Sequence, residues 1–242
     1  MSDRGHRGAD YLLQTPANRY ASQLPWLPGA TVYKLVSPRL EPALFSQQLI
    51  CLDASPPPAA VFPSGREQFL YVLEGELRTS VDGSEHDLPA GGFEYCPGSS
   101  TLALVAASNA RALRIHRIWS PPPDGGQPAR TSGHRDDREA GQTPVEGLTR
   151  RELLPTDDPS FDFTMSIMRF APGAGLDQVE IHDEEHGLYM LDGGGRYLLG
   201  ADWHDVAAED FIYMAPYCPQ TFTAGAEGAE YLLYKDIFRD LP

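Results

Sequence analysis

The sequence has few cysteines and no long apolar run. Its three cysteines, Cys51, Cys96 and Cys218, are widely spaced. They form neither a disulfide framework nor a paired-cysteine metal motif, so free thiols in a reducing compartment are expected. No run of about 18 apolar residues occurs, which predicts no membrane-spanning helix. The opening MSDRGHRGAD lacks the apolar core of a signal peptide. It predicts a frayed tail on a cytoplasmic protein.

Basic residues are scarce as well. The 19 lysines and arginines are outnumbered by 34 aspartates and glutamates, which gives a formal net charge of −15. Binding to nucleic acid or to an anionic membrane requires basic patches, so neither partner is expected. A small anionic ligand remains compatible with this charge, because the local charge in a pocket can oppose the global sign. The hydrophobic content of 41% is typical of a folded globular protein.

Helical periodicity is weak, and a β-rich unit occurs twice. The segment EQFLYVLEGELRTSVDGSEHDLPAGGFEYC, Glu67–Cys96, aligns without a gap on EHGLYMLDGGGRYLLGADWHDVAAEDFIYM, Glu185–Met214, at an offset of 118 residues. The same register places Leu113–Trp119 over Tyr231–Ile237. Short β-branched and aromatic runs between Gly, Pro and Asp predict strands, and many short strands with regular turns predict a barrel or sandwich. The chain is therefore expected to contain two small β-barrels.

The segment between the copies suggests the domain boundaries. Residues 121–142 are rich in proline, glycine and charge, which predicts a linker. The expected division is an N-terminal barrel with an N-terminal arm in residues 1–120, a linker in residues 121–142, and a C-terminal barrel in residues 143–242. The apolar, proline-rich segment Asn18–Leu40 lies outside the repeat. We expect it to cover the other barrel or a second subunit.

The stretch VEIHDEEHG, Val179–Gly187, contains a candidate metal motif. Glu180 and His182 are two residues apart, so on a strand their side chains point to the same face. Asp183–Glu185 suits a solvated turn, and a hairpin there would bring His186 back beside the first pair. Two imidazoles and a carboxylate at one point suit a divalent cation.

This motif resembles that of one family of two-barrel proteins. Glu-x-His-x-x-x-His followed later by Gln220 is similar to the (S)-ureidoglycine aminohydrolases of purine (allantoin) degradation, a bicupin family of the cupin superfamily. FLYVLEGEL, YCPGSS, FAPGA and YLLYKDIFRD extend the resemblance over most of the chain. It implies an all-β fold of two tandem double-stranded β-helix (jelly-roll-like) barrels. It also implies a homo-oligomer, a manganese centre, and hydrolysis of (S)-ureidoglycine to (S)-ureidoglycolate and ammonia.

The resemblance assigns roles to six residues. It implies that the metal ligands are Glu180, His182, His186 and Gln220, and that Tyr197 and Lys235 contact a small polar carboxylate substrate. Glu180, Tyr197 and Lys235 are the candidate catalytic residues. Oxygen and imidazole donors suit Mn²⁺ or Fe²⁺, although another divalent metal is possible, and four protein ligands leave two positions open. At the 118-residue offset the first copy instead has Phe62, Ser64, Gln68 and Leu102, so only the second copy is expected to bind metal.

Two of these residues also have structural interpretations. Strand alternation places Tyr231, Leu233 and Lys235 on one face. If that face lines the barrel interior, the ammonium requires an anion such as a substrate carboxylate. Alternatively, Lys235 reaches water from the strand end. For Tyr197, in the segment GGGRYLLG, the alternative interpretation is that the ring packs in the core.

Other functions remain open. One alternative is another metal-dependent cupin enzyme, a dioxygenase or an isomerase of a small acid, which for the dioxygenase predicts oxygen consumption with Fe²⁺. The other is a non-enzymatic cupin sensor of a small molecule, which predicts purified protein without metal. His86 and His204 occur at the same place in both copies. Because only one copy has the full ligand set, these two histidines are expected to be architectural.

Overall fold

The computed structural model describes residues 4–25, 27–53, 59–123 and 126–237. In these ranges the regular structure is β-strand apart from two 3-10 turns at Pro16–Asn18 and Arg135–Asp137. No helix in the described ranges is long and apolar enough to cross a membrane. The strands are β1 His6–Arg7, β2 Tyr11–Gln14, β3 Ala21–Leu24, β4 Leu27–Val36, β5 Phe45–Leu52, β6 Ala59–Phe62, β7 Glu67–Glu74, β8 Glu76–Val81, β9 Ser84–Pro89, β10 Gly92–Cys96, β11 Leu102–Ala106, β12 Ala110–Arg117, β13 Thr131–His134, β14 Ala140–Gln142, β15 Leu148–Glu152, β16 Phe163–Phe170, β17 His186–Leu199, β18 Asp202–Ala207, β19 Phe211–Met214 and β20 Gln220–Asp236.

The described residues form two compact units whose boundaries differ from the predicted ones. The N-terminal unit contains residues 20–137, and the C-terminal unit contains residues 4–19 and 138–237. The start of the chain joins the C-terminal unit because β2 pairs with β19 and buries Tyr11 and Leu13. Arg4 forms an ion pair with the buried carboxylate of Asp210 at 2.5 Å. The prediction of a frayed tail is therefore wrong for residues 4–10.

The predicted linker also contains strands. β13 pairs with β10 in the N-terminal unit, and β14 pairs with β15 in the C-terminal unit. Neither strand buries a residue fully. Edge strands are held by backbone hydrogen bonds, so they need no apolar pattern, and composition alone could not reveal them. The Asn18–Leu40 segment supplies β3 and β4, which pair with each other and, through β4, with β5 of the N-terminal unit.

The N-terminal unit consists of two antiparallel sheets. Seven strands follow the order β13-β10-β7-β12-β5-β4-β3, and four follow the order β6-β11-β8-β9. Inward side chains form one apolar cluster, in which Phe62 and Leu102 are almost completely buried. These are two of the four positions that correspond to the expected metal ligands of the other copy. Two of the four positions are therefore occupied by hydrocarbon side chains, which cannot bind a metal.

The C-terminal unit has the same antiparallel topology in one continuous nine-stranded arrangement. The long strands β17 and β20 pair with each other along most of their length, while β19 and β18 pair with successive halves of β17. Bulges interrupt the β17–β20 ladder around Gly193. Gly193 has φ 65°, and a Cβ there would lie 2.2 Å from the carbonyl oxygen of Gly228. Only glycine permits this close approach.

The pairing ladders correct the sequence register near the end of the repeat. In the N-terminal unit Gln68 pairs with His116, and in the C-terminal unit His186 pairs with Lys235. Gln68 and His186 keep the offset of 118, whereas His116 and Lys235 are 119 residues apart. One extra residue within β20, between Ala224 and Tyr231, shifts the register. The counterpart of Lys235 is therefore His116. The offset of 118 residues, which places Arg117 opposite Lys235, is wrong at this position.

Candidate metal site and cavity

A backbone bridge positions two of the predicted ligands. The Glu180 amide donates to the Gln220 carbonyl at 2.7 Å, and the Gln220 amide donates to the Glu180 carbonyl at 2.9 Å. The Tyr217 amide donates to the His182 carbonyl at 2.7 Å and holds the following loop. Glu180 therefore pairs with the start of β20, and not with His186 through the predicted hairpin. The Glu180 and Gln220 side chains emerge next to each other because directly paired residues face the same side of a sheet.

The four predicted ligands come together at one end of the barrel. The Glu180 Oε2 and His182 Nε2 atoms are 3.3 Å apart, and the Gln220 Nε2 and His186 Nδ1 atoms are 2.8 Å apart. The two imidazole rings are 5.0 Å apart between centroids. Ligand bonds of about 2.0–2.2 Å place neighbouring donors about 3 Å apart around one ion. The spacing of the Glu180 and His182 donors fits a shared divalent cation, and the contact between Gln220 and His186 holds those two side chains in the same cluster.

The state of His186 also fits a metal ligand. Burial, followed by the charges of Lys235 and His182, lowers the pKa of His186 to about 3. The imidazole is therefore neutral near pH 7, which is the form that binds metals. One of its nitrogens faces Gln220, while the buried Nε2 has no hydrogen-bond partner among the residues that the structure describes. A buried nitrogen without a partner is costly, and a bound cation would satisfy it.

The predicted solvated turn fits the exposed Asp183 and the partly exposed Glu184, but it is wrong for Glu185. Glu185 is 1% exposed and accepts a hydrogen bond from the Tyr213 hydroxyl at 3.4 Å. The N-terminal unit repeats this pair, where the Tyr95 hydroxyl donates to Glu67 at 2.7 Å. Because both units contain it, the pair is part of the barrel architecture. The sequence showed the glutamate in both copies, but no periodicity indicated its burial.

Glu184, also within the predicted turn, faces the cavity lysine. Its Oε1 atom lies 3.4 Å from the Lys235 Nζ atom, and both side chains are partly exposed. The ammonium therefore has a carboxylate neighbour of its own. An exposed pair of this kind contributes little stability, so Lys235 can exchange this partner for another anion at small cost.

The cluster opens into a cavity of about 680 Å³ in the C-terminal unit. All four predicted ligands line it, together with Tyr197 and Lys235. Tyr231 and Leu233 also line it, which confirms the predicted alternation along β20. Part of the Lys235 side chain remains exposed, at 30%. The ammonium thus lies at the cavity wall with access to solvent, between the two alternatives that the sequence left open.

Tyr197 contacts a predicted ligand. Its hydroxyl donates to the Gln220 Oε1 atom at 3.3 Å, and its ring packs on Phe222 at 5.3 Å between centroids. Complete burial raises its pKa well above the usual value, so the phenol stays protonated. A permanent donor on Gln220 fixes the orientation of that amide, which is how outer contacts orient metal ligands. Tyr197 therefore packs in the core through its ring and contacts the site through its hydroxyl.

Among the other residues that line the cavity, Arg138 and Arg150 were missed by sequence reasoning, whereas the alternation along β20 had placed Tyr231 on the same face as Lys235. The Arg150 Nε atom donates to the Ser166 hydroxyl at 3.1 Å, and its Nη2 atom lies 3.2 Å from Glu152. Arg138 and Arg150 precede the aligned repeat, so no comparison between copies could indicate them. The aromatic alternation of β20 was the one available signal for Tyr231.

The predicted architectural histidines lie in hydrogen-bond clusters of their own. The His86 Nδ1 atom is 2.8 Å from the Ser132 hydroxyl and 3.2 Å from Arg130 in the N-terminal unit. The His204 Nε2 atom is 2.9 Å from the Tyr11 hydroxyl in the C-terminal unit. Neither histidine lines the cavity. The three cysteines are free, with Cys96 and Cys218 buried and Cys51 partly exposed.

Comparison with known proteins finds relatives that match almost the whole chain. The chain is 35% identical over 235 residues to the probable (S)-ureidoglycine aminohydrolase of Oryza sativa subsp. japonica, which covers 96% of this chain and 74% of that protein. It is 31% identical over 238 residues to the (S)-ureidoglycine aminohydrolase of Escherichia coli strain K12, covering 96% of this chain and 90% of that protein. No family model matches the chain.

Solved structures agree on the fold. The crystal structure of protein Ylba from E. coli matches with a TM-score of 0.87 and 29% identity, over all of this chain and 97% of that one. Bacillus subtilis oxalate decarboxylase matches with a TM-score of 0.73 over 98% of this chain and 80% of that one. Its 12% identity shows a shared fold alone. Together with the two β units, these similarities confirm the predicted bicupin fold.

Proposed function

Because the chain belongs to the (S)-ureidoglycine aminohydrolase family and is a hydrolase, we propose that it hydrolyses (S)-ureidoglycine to (S)-ureidoglycolate and ammonia in purine (allantoin) degradation. The convergence of four donor side chains and Lys235 on one cavity carries this proposal. In the reaction, water supplies the oxygen of a new C–O bond at the carbon that bears the amine. The C–N bond breaks, and the nitrogen leaves as ammonia.

Glu180, His182, His186 and Gln220 would hold a divalent cation, for which Mn²⁺ is our first choice. Carboxylate and amide oxygens with imidazole nitrogens are harder donors than the cysteine-rich sets of structural zinc sites. When bound, the cation supplies Lewis-acid chemistry that lowers the pKa of water and so provides a nucleophile near neutral pH. Fe²⁺ suits the same donor set and is the second choice.

Two side chains would position the substrate. Lys235 offers an ammonium at the cavity wall, 3.4 Å from Glu184. The substrate carboxylate replaces that neighbour and anchors one end of the molecule, which places the reacting carbon near the ligand cluster. Glu180 accepts a hydrogen bond from the substrate ammonium with its partly exposed carboxylate. Tyr197 acts through Gln220, whose amide it holds.

Ammonia release from freshly prepared (S)-ureidoglycine tests the proposal. We expect release well above the spontaneous rate with Mn²⁺, loss of that excess after chelation, and its return on adding Mn²⁺. Glu180→Ala is expected to lose both bound metal and turnover. Glu227→Ala is the matched control, because it removes the same charge from an exposed position of the same unit. Metal-loaded protein without any acceleration would refute this substrate.

The expected assembly completes the proposal. Family resemblance supports a homo-oligomer in the cytoplasm acting on a small polar carboxylate. Analytical ultracentrifugation of the purified protein measures the assembly directly. A single monomeric species across the accessible concentration range would contradict the oligomer.

A further inference from the structure

The N-terminal unit has a polar layer at the place where the C-terminal unit has its cavity. In the C-terminal unit His186, Leu233 and Lys235 line the cavity from β17 and β20. By the pairing ladders, their counterparts in the N-terminal unit are Gln68, Arg114 and His116. Gln48 pairs with Arg114 from the neighbouring strand β5 and so faces the same side. The layer we consider therefore consists of Gln48, Gln68, Arg114 and His116.

Arg114 is a buried cation without a carboxylate partner among the described residues. Its side chain is 6% exposed, and its guanidinium lies 3.9 Å from the centre of the Phe62 ring. The Nε atom donates to the Gln68 Oε1 atom at 2.8 Å, and the Nη1 atom donates to the Gln48 Oε1 atom at 3.1 Å. No described residue accepts a hydrogen bond from Nη2. Two neutral amides do not compensate the charge of a desolvated guanidinium.

The neighbours of Arg114 add donors and positive charge. An arginine only donates, so its contact fixes the Gln68 oxygen toward Arg114 and leaves the Gln68 amide nitrogen as a donor. That nitrogen is buried and has no partner in the described part of the chain, and Gln68 itself is 1% exposed. The Nδ1 atom of His116 is also buried, and no described residue hydrogen-bonds to it. Arg66 is exposed and close enough to lower the pKa of Arg114, after burial, to about 9.

We propose that this polar layer of the N-terminal unit binds a small organic carboxylate. A carboxylate accepts from Nη2 of Arg114 and from the Gln68 amide, and its charge balances the buried guanidinium. A metal does not fit here, since Phe62 and Leu102 occupy two of the ligand positions and Arg114 already supplies a cation. This site would prefer an anion, whereas the ligand cluster of the C-terminal unit prefers a cation. In a chain of net charge −15, such a site requires a local cluster of cations.

Calorimetric titration with glycolate and its neutral analogue glycolamide tests this site. The full Mn²⁺-loaded chain is used in a Lys235→Ala background, which removes the cation of the other cavity. We expect one saturable glycolate site per chain and no binding of glycolamide, because only the acid carries the charge. Absence of glycolate binding, or equal binding of both compounds, would show that Arg114 only fills the interior.

Three arginine variants in the same background locate the site. Arg114→Leu installs the residue that the C-terminal unit has at this position, so the barrel has a precedent for it. We expect at least about tenfold weaker glycolate binding in Arg114→Leu and a smaller loss in Arg66→Ala. Arg66→Ala alters an exposed side chain, so it keeps the test valid if Arg114→Leu unfolds. Arg78→Ala removes an exposed arginine paired with Asp87 and is expected to bind normally. Unchanged affinity in Arg114→Leu or in Arg66→Ala would overturn the assignment.

Discussion

The two β units share one topology but have different centres. In the C-terminal unit four polar side chains converge beside a cavity, whereas in the N-terminal unit the hydrocarbon side chains Phe62 and Leu102 occupy two of the four equivalent positions. The backbone ladders are nearly the same in both, including the bulge next to Gly75 and Gly193. A handful of side chains on a shared frame therefore decides which unit is a candidate for chemistry.

The architectural elements are the ones that both units retain. A buried glutamate receives a hydrogen bond from a tyrosine in each, as Glu67 from Tyr95 and Glu185 from Tyr213. These contacts stabilise the frame, and their presence in both copies separates them from the ligand cluster. The difference between the copies, more than any single motif, identifies the site. The first two of the following predictions exchange residues between the units, and the other two test one side chain in each unit.

The largest effect is expected from His186→Gln, which places the Gln68 side chain at the metal-site position. It removes the imidazole with the free buried nitrogen. We expect manganese content to be lost and ammonia release to fall by at least about 100-fold. Metal analysis and the turnover assay measure both. The reciprocal Gln68→His is expected to gain no metal, because Phe62 and Leu102 provide no donors. Retention of metal by His186→Gln would show that this position does not distinguish the two units.

Lys235→His places the N-terminal counterpart, His116, at the cavity wall. The loss of a charge-assisted hydrogen bond to the substrate carboxylate is expected to lower kcat/KM by about 10- to 100-fold. Manganese content should stay at the wild-type level, since Lys235 is not a ligand. Lys235→Arg serves as the control that keeps the charge and should recover part of the activity. A wild-type kcat/KM in Lys235→His would remove Lys235 from the substrate site.

A smaller effect is expected from Tyr197→Phe. The variant keeps the ring that packs on Phe222 and removes only the hydroxyl that orients Gln220. We expect about tenfold weaker manganese affinity with little change in thermal stability. Competition with a fluorescent chelator measures the affinity, and a melting curve measures the stability. If metal affinity were unchanged, the hydroxyl would be a packing feature alone.

The smallest effect concerns pH and His116 in the N-terminal unit. Burial, Arg114 and Arg66 lower its pKa to about 3, while an unfolded histidine has a pKa of about 6.5. The unfolded chain binds the proton more readily than the folded chain. The free energy of unfolding is therefore highest above about pH 6.5, and it decreases as the pH falls toward 3.

Between about pH 6.5 and 4.5 we therefore expect the free energy of unfolding to decrease less in His116→Gln than in the wild type. The expected difference is roughly 1–2 kcal/mol. Urea denaturation at both pH values measures the difference. His86→Gln is a matched control in the same unit, at a partly exposed position. Parallel pH curves for His116→Gln and wild type would show that His116 also titrates normally in the folded protein.

Sequence patterns were sufficient for several features of this protein. The repeat, the all-β class and the family resemblance all follow from the order of residues, because strand alternation and turn residues are local signals. The proximity of Glu180 and His182 was predictable for the same reason, although only Glu180 pairs with another strand and His182 lies outside the regular strands. The predicted alternation of Tyr231, Leu233 and Lys235 also follows from this local rule.

Tertiary structure alone decided the features that depend on pairing between distant residues. Strand β2 pairs with β19, and β13 pairs with β10, in both cases far apart along the chain, so no local pattern predicts these pairings. The one-residue shift that makes His116 the counterpart of Lys235 is visible only in the ladders. Burial of Glu185 and isolation of Arg114 depend on which side chains surround them. The preference of a segment for a strand or a turn depends on its own residues. The burial of a side chain and the choice of its hydrogen-bond partner depend on residues that meet only when the barrel has folded.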